Sequence, residues 1–317
     1  MNLLDSDEPS VRWKFRVGVR DEFAASPAIW RLRQEIRVSP RVKALKAGLK
    51  LPRVYAKWQG PHWVLFTLAE IGHPSGDASL KAACDRVLDC WLDPLYFREF
   101  DASTKAASCR KEGVPVLQGR HRRCASQQGT ALWSILTLGL ADDRVDRLVE
   151  RLLHWQWPDG GWNCDKTPSA DTSSFVETLW PIRGLALYAR QRRSAAARRA
   201  VERAAEVLLE RGLFKRRRDG KVIHADFTTL HYPTYWHYDI LAGLKVMSEA
   251  GFIRDPRCKD ALDLLESKRG TDGWWKAGRR YYRRSGRIAL GNDFVDWSGP
   301  EWVTVEALAV LHAAGRA

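Results

Sequence analysis

Two kinds of helical segment alternate along this chain. The first is apolar nearly all round: residues 58–71 (His62, Trp63, Leu65, Phe66, Leu68, Ala69), 128–140, 174–188, 233–250 and 301–314. The second is apolar on one side. In residues 78–91, Leu80, Ala83, Cys84, Val87, Leu88 and Trp91 recur at three- and four-residue intervals against Lys81, Asp85, Arg86 and Asp89. Segments 142–155, 195–210 and 260–267 repeat that stripe. A helix apolar on all sides is buried on most of them, and a striped one lies outside it. Segments 27–37 and 40–50 each open on a proline suited to a first helical turn, Pro181 predicts a kink, and no strand pattern competes.

Related turns follow the striped segments. The fullest is Trp155-Gln156-Trp157-Pro158-Asp159-Gly160-Gly161-Trp162-Asn163-Cys164-Asp165, with degenerate echoes at Arg218-Asp219-Gly220 and Thr271-Asp272-Gly273-Trp274-Trp275. The glycines supply positive φ, while Gln and Trp fasten a helix end to the loop beyond it. Repeats of roughly 45 to 70 residues, each a helix pair, cannot bury their own faces and must stack. A ring of inner helices enclosed by the striped set satisfies both patterns. The expected fold is all-α, a single α/α toroid of five or six hairpins over residues 1–317. Residues 1–25 form an N-terminal extension, an N-terminal helix packs as outer partner to segment 301–314, and the irregular basic loop 97–126 is a candidate lid.

Composition narrows the function classes. No run of eighteen apolar residues occurs, and the first twenty residues mix Asp and Glu with Arg and Lys, unlike a signal peptide. The expectation is a cytoplasmic protein, with peripheral attachment to a membrane left open. Six scattered cysteines without a CxxC suit a reduced compartment. The formal charge of +14 favours anionic partners, and much of it sits in residues 190–221. That face suits an anionic lipid or membrane surface. No signature of sequence-specific nucleic-acid binding accompanies it.

The turn Gln156-x-x-x-Gly160-x-Trp162 resembles the QW motif of squalene-hopene and oxidosqualene cyclases, whose α/α-toroid architecture is shared by protein prenyltransferases. Residues 127–316 are similar to short bacterial proteins carrying prenyltransferase and squalene oxidase repeats. The similarity runs through Asp159 to Asp165, Ser173-Ser174-Phe175 and His231-Tyr232-Pro233-Thr234-Tyr235-Trp236-His237-Tyr238-Asp239. The resemblance implies a toroid and a terpene cyclase-like or prenyltransferase-like activity in its lumen. The chain lacks the DxDD motif of class II cyclases; Asp142-Asp143-Arg144-Val145-Asp146 has DDxxD spacing but stands at the polar start of a striped segment, and the length suits one toroid.

In such a toroid the inner-helix ends and adjoining loops line the cavity. Asp239, Glu177 and Asp165 are the candidate catalytic acids; Trp58, His62, Tyr235, Trp236, His237, Glu301 and Trp302 are the candidate substrate-binding residues. Trp63, Gln127, Gln128, Asp171, Ser173, Ser174, His231, Asp293, Asp296 and Trp297 complete the lining. Aromatic walls with one protonated carboxylic acid suit a carbocation from an isoprenoid or similarly apolar substrate. They equally suit a sugar, with Glu177 and Asp239 as the carboxylate pair of a carbohydrate-active hydrolase or lyase. A non-catalytic lipid- or partner-binding protein is the third reading. Prenyltransferase toroids bind zinc through Asp, Cys and His. Cys164, Asp165 and His237 supply those types, as do Cys109, Cys124 and His121 loosely, but the spacing does not match, and no cofactor is expected.

Overall fold

The computed structural model describes residues 2–281, 283–284, 292–293 and 295–316. It is mostly helical. In chain order the helices are α1 (Pro9–Gly18), α2 (Pro27–Val38), α3 (Pro40–Lys46), α4 (Pro61–Glu70), α5 (Lys81–Trp91), the one-turn α6 (Pro94–Phe97) and α7 (Lys105–Ser108), α8 (Ala125–Thr137), α9 (Arg144–His154), α10 (Phe175–Arg192), α11 (Ala195–Leu209), α12 (Ile240–Ala250), α13 (Lys259–Ser267) and α14 (Pro300–Ala313). None among the described residues is long and apolar enough to cross a membrane.

The two helix types occupy different positions. In α4 every residue from Pro61 to Ala69 is buried, whereas α9 buries only Val145, Leu148, Val149 and Leu152. The apolar helices contact one another in succession: α4 packs on α8, α8 on α10, α10 on α12, and α12 on α14. The first four, α4, α8, α10 and α12, also carry a striped partner each, α5, α9, α11 and α13 respectively. Helix α14 then packs on α1, and α1 on α2.

Helices α8 and α10 pack backbone to backbone, and glycines allow it. A Cβ on Gly129 would stand 2.4 Å from the Pro181 nitrogen and 2.5 Å from the Trp180 carbonyl carbon, and one on Gly184 would meet the Gly129 oxygen at 2.7 Å. Helix α10 runs on through Pro181 to Arg192. Its neighbour's glycine lets the proline turn pack where a side chain would clash.

The turn that organised the sequence pattern is a hydrogen-bonded staple. Gln156 donates from Nε2 to the carbonyls of Gly160 (2.6 Å) and Ala200 (2.8 Å), tying the end of α9 to α11. Trp162 donates through its indole to Leu152 O (2.9 Å) and through its backbone N–H to Thr178 Oγ1 (3.2 Å). Trp275 repeats both bonds, to Leu265 O (2.7 Å) and Thr304 Oγ1 (3.0 Å). The two turns are therefore physical repeats, each pinning a striped helix to the next apolar one.

The N-terminal helix expected against segment 301–314 is α1, which lies within residues 1–25 and packs on α14; its alternating charges (Arg12, Lys14, Arg16) hide the helical stripe. Two expectations are corrected. Loop 97–126 contains a three-stranded sheet of β1 (Glu99–Asp101), β2 (Val114–Leu117) and β3 (Arg120–His121), with β2 parallel to β1 and antiparallel to β3. Val114, Val116 and Leu117 were its only sequence signal. The helix expected from residue 233 begins at Ile240, and Asp239 is its N-cap, accepting from Ala242 N at 2.8 Å.

Candidate functional site

Asp239 sits where an apolar helix begins, and its carboxylate does more than cap it. Besides the Ala242 N–H on Oδ1, its Oδ2 accepts the His231 backbone N–H (2.8 Å) and lies 2.9 Å from His231 Nδ1. Both side chains are fully buried. The carboxylate beside Nδ1 places a ring proton there, so the neutral tautomer is the one with its lone pair on Nε2. Among the described residues Nε2 has no hydrogen-bond partner. Buried polar atoms are nearly always paired, so an unpaired one is a candidate point of contact for another molecule.

His231 lines a cavity of ≈ 40 Å³, room for a few waters. Phe66, Trp180, Tyr232 and Leu241 give it apolar walls, and Thr67 and Thr234 add hydroxyls. Its polar floor is an ion cluster drawn from α4, α10, α12, α14 and α1. Arg183 pairs with Glu70 and Glu249, and Lys245 bridges Glu70 (2.6 Å) and Glu306 (3.0 Å). Lys14 closes the set on Glu306. The Arg183 guanidinium also lies 3.5 Å from the centre of the Trp133 ring.

Three cations face three carboxylates, so the floor is neutral. Burial works against the Glu70 charge, but Arg183, Lys245 and Lys14 outweigh it and hold the carboxyl well below its ordinary range. Burial likewise lowers Lys245, and Glu306 with Glu70 brings it back above its ordinary value. Lys14 falls the other way, with burial prevailing over Glu306. A neutral, internally satisfied floor has no surplus positive charge for a diphosphate.

A second constellation stands where α8 and α10 begin. Glu177, buried in the first turn of α10, accepts the Ser126 N–H (2.9 Å) on Oε2 and the Cys164 thiol (3.5 Å) on Oε1. Cys124, the N-cap residue of α8, lies beside Cys164. Burial raises the Glu177 pKa despite the bond from Ser126. The Cys164 thiol is raised as well, by its bond with Cys124 and by burial, and that same bond lowers Cys124.

The remaining candidates divide among several places. Trp58 is buried, stacks on Tyr235 (ring centres 4.1 Å apart) and donates to Tyr281 O at 2.8 Å. Trp236 stacks on His237, which stacks in turn on Tyr281. Burial holds His237 down to about 3. His62 accepts the Trp91 indole N–H on Nδ1 (3.1 Å) and meets Thr130 Oγ1 at 3.0 Å, and burial holds it to about 3, so it is neutral. Trp302 belongs to another group, with Tyr232, Trp297 and the Arg41 guanidinium 5.0 Å above its ring. Glu301 is half-buried in the first turn of α14, its carboxylate folded back against Gly299.

Asp165 is exposed and accepts the Thr167 N–H (2.8 Å), which holds its pKa down. It is a turn residue away from the dyad. The trio Cys164, Asp165 and His237 is thus separated, with Cys164 instead beside Cys124 and Glu177. Of Asp293 only the backbone is described; its side chain lies outside the described residues.

Several side chains of the basic segments are engaged within the fold. In loop 97–126, Arg122 is buried on Ala170 O and the Trp157 ring, and Arg123 bonds Gln127 Oε1 (2.9 Å). On the 190–221 face, Arg217 pairs with Glu210, Arg216 with Asp219, and Lys215 with Asp260.

No protein-family model matches the chain, and no curated protein matches it significantly in sequence. The site therefore rests on its own geometry. Sequence patterning marked Asp239 as a charge in an apolar run and His231 as part of a lining. It missed their pairing, for which the one signal is an Asp just before an apolar helix with a His eight residues upstream. It also missed Lys14, Glu70, Arg183, Lys245 and Glu306, which look like ordinary surface charges until five helices bring them together.

Proposed function

We propose that this chain is an α/α toroid closed through α1 and α14, and an enzyme that works by proton transfer at His231 on an isoprenoid or similarly apolar substrate. The supporting observation is the buried His231–Asp239 dyad, whose Nε2 has no partner among the described residues and whose histidine is part of the cavity lining. A general base needs a lone pair within reach of substrate and a partner that stabilises the imidazolium formed. Asp239 accepts three hydrogen bonds, so the proton-donor role assigned to it from sequence passes to His231. Nε2 takes a proton from a carbon or hydroxyl of the substrate and returns it elsewhere on the same molecule, which amounts to an isomerisation. The cavity admits a short apolar segment, such as the reacting end of an isoprenoid, with any polar group over Arg183 and Lys245.

A second reading has its own support. Glu177, with its raised pKa, suits acid-initiated chemistry at the start of α10. Incubating the protein with a panel of isoprenoid alcohols and diphosphates in D2O, followed by mass spectrometry, separates the two. Deuterium uptake catalysed by wild type should fall at least ~100-fold in His231→Gln and persist in Glu177→Gln. The reverse result supports the second reading, and no uptake into any member of the panel defeats both.

A further inference from the structure

A group of ligating side chains lies far from the dyad, on the outer side of the chain. Glu99 is in β1, His121 in β3 and His154 in the last turn of α9. The sheet register brings the first two together. Glu99 is opposite Val114 and His121 opposite Val116, and positions two apart on β2 share a face, so both side chains rise from one face of the sheet. The end of α9 supplies the third. His154 Nε2 stands 3.0 Å from Glu99 Oε1 and 3.2 Å from Oε2, and His121 Nε2 stands 3.2 Å from Oε2. The two imidazole rings are 4.6 Å apart, and the three ligand atoms lie within 4.8 Å of one another.

We propose that Glu99, His121 and His154 bind one divalent transition-metal ion of the zinc type, through three protein ligands with the remaining coordination open to water. Two imidazoles and a carboxylate are the donor set that such ions favour. Ligand atoms 2.0 to 2.1 Å from a tetrahedral zinc are separated from one another by about 3.3 Å, close to the observed His–Glu contacts of 3.0 and 3.2 Å, with the two histidine nitrogens within 4.8 Å of one another.

The supporting shell is also present. The Trp155 indole donates to Glu99 Oε1 at 3.0 Å, orienting the carboxylate, and the Trp157 indole donates to the His121 carbonyl at 2.8 Å, fixing β3. Both tryptophans flank Gln156, so the staple that joins α9 to α11 also frames this site. His154 is about half exposed, which leaves an approach for the ion. The bound ion would clamp the sheet of residues 99–121 to α9.

The test uses the full chain, stripped with chelator and titrated with zinc by calorimetry and with cobalt by absorption. Wild type should take up one ion at this site, and His154→Ala, which removes an exposed side chain, should weaken binding at least ~10-fold with unchanged circular dichroism. Glu99→Gln should weaken it too. Zinc should raise the melting temperature of wild type and not of His154→Ala. The cobalt spectrum excludes the other thiol-bearing group, Cys124, Cys164 and Glu177, because thiolate ligands give a near-ultraviolet charge-transfer band and His–Glu ligands do not. The proposal is overturned by absence of saturable uptake, by equal affinity in His154→Ala, or by a charge-transfer band that disappears in Cys164→Ser.

Discussion

Replacing Arg183 with methionine tests whether the floor of the cavity is held by its ion cluster. Among the described residues Arg183 is the one cation that joins Glu70 to Glu249, and it is buried against Trp133. Methionine keeps the apolar stem and removes the charge. Breaking a buried pair by deleting one partner costs about 3 to 5 kcal/mol, because the other charge stays behind in low dielectric. At 2 to 4 °C per kcal/mol for a chain near this size, the melting temperature should fall on the order of 10 °C. The pH dependence gives a sharper check. In wild type the Glu70 pKa is depressed, so its stabilisation is complete above the unfolded value near ~4.3 and is lost only as pH falls toward the folded pKa. In the variant Glu70 loses its leading cation and its pKa rises, so protonation relieves it at mildly acid pH. Urea unfolding at pH 7.5 and 4.5 should therefore show the gap between wild type and Arg183→Met narrowing at the lower pH. A gap below about 1 kcal/mol at pH 7.5, or one that does not change with pH, would refute a charge-held floor.

Three other outcomes follow from the same geometry. Gly129→Ala should destabilise by about 1 to 3 kcal/mol in chemical denaturation, since its methyl would enter the backbone of Trp180 and Pro181. Gln156→Ala removes two hydrogen bonds from the turn and should lower the denaturant midpoint by about 1 to 2 kcal/mol of stability, with the helical circular dichroism intact. His62, neutral in the fold with its pKa near 3 against an unfolded value of ~6.5, makes stability fall as pH drops below ~6.5, by up to ~1.4 kcal/mol per pH unit. His62→Asn should flatten that slope between pH 6 and 4, as followed by thermal melts.

Much of the helical order was legible because burial imposes a period. The apolar α4, α8, α10 and α14 and the striped α5, α9, α11 and α13 stand close to where their residue patterns put them. Boundaries failed where a polar residue does two jobs. Asp239 both caps α12 and holds His231, so an apolar run on either side made it look like the middle of a helix. Helix α1 was obscured because Lys14, a charge by type, is buried by pairing with Glu306. The sheet in 99–121 is short, and its residues pair across turns that leave no alternation long enough to read. Within the site, the candidates were mostly placed by aromatic and acidic type, whereas the dyad depends on hydrogen-bond partners, which no periodicity encodes.

The bond between Lys14 and Glu306 spans 292 positions of sequence. A ribosome adding ~5 to 20 residues per second finishes α14 some tens of seconds after α1 has emerged. For all that interval the partner helix of α1 does not exist, and the floor of the cavity cannot be assembled. An ordinary apolar helix left waiting so long would invite aggregation. Arg12, Lys14 and Arg16 give the waiting α1 charged positions that water can solvate, and in the finished fold Lys14 is buried against Glu306.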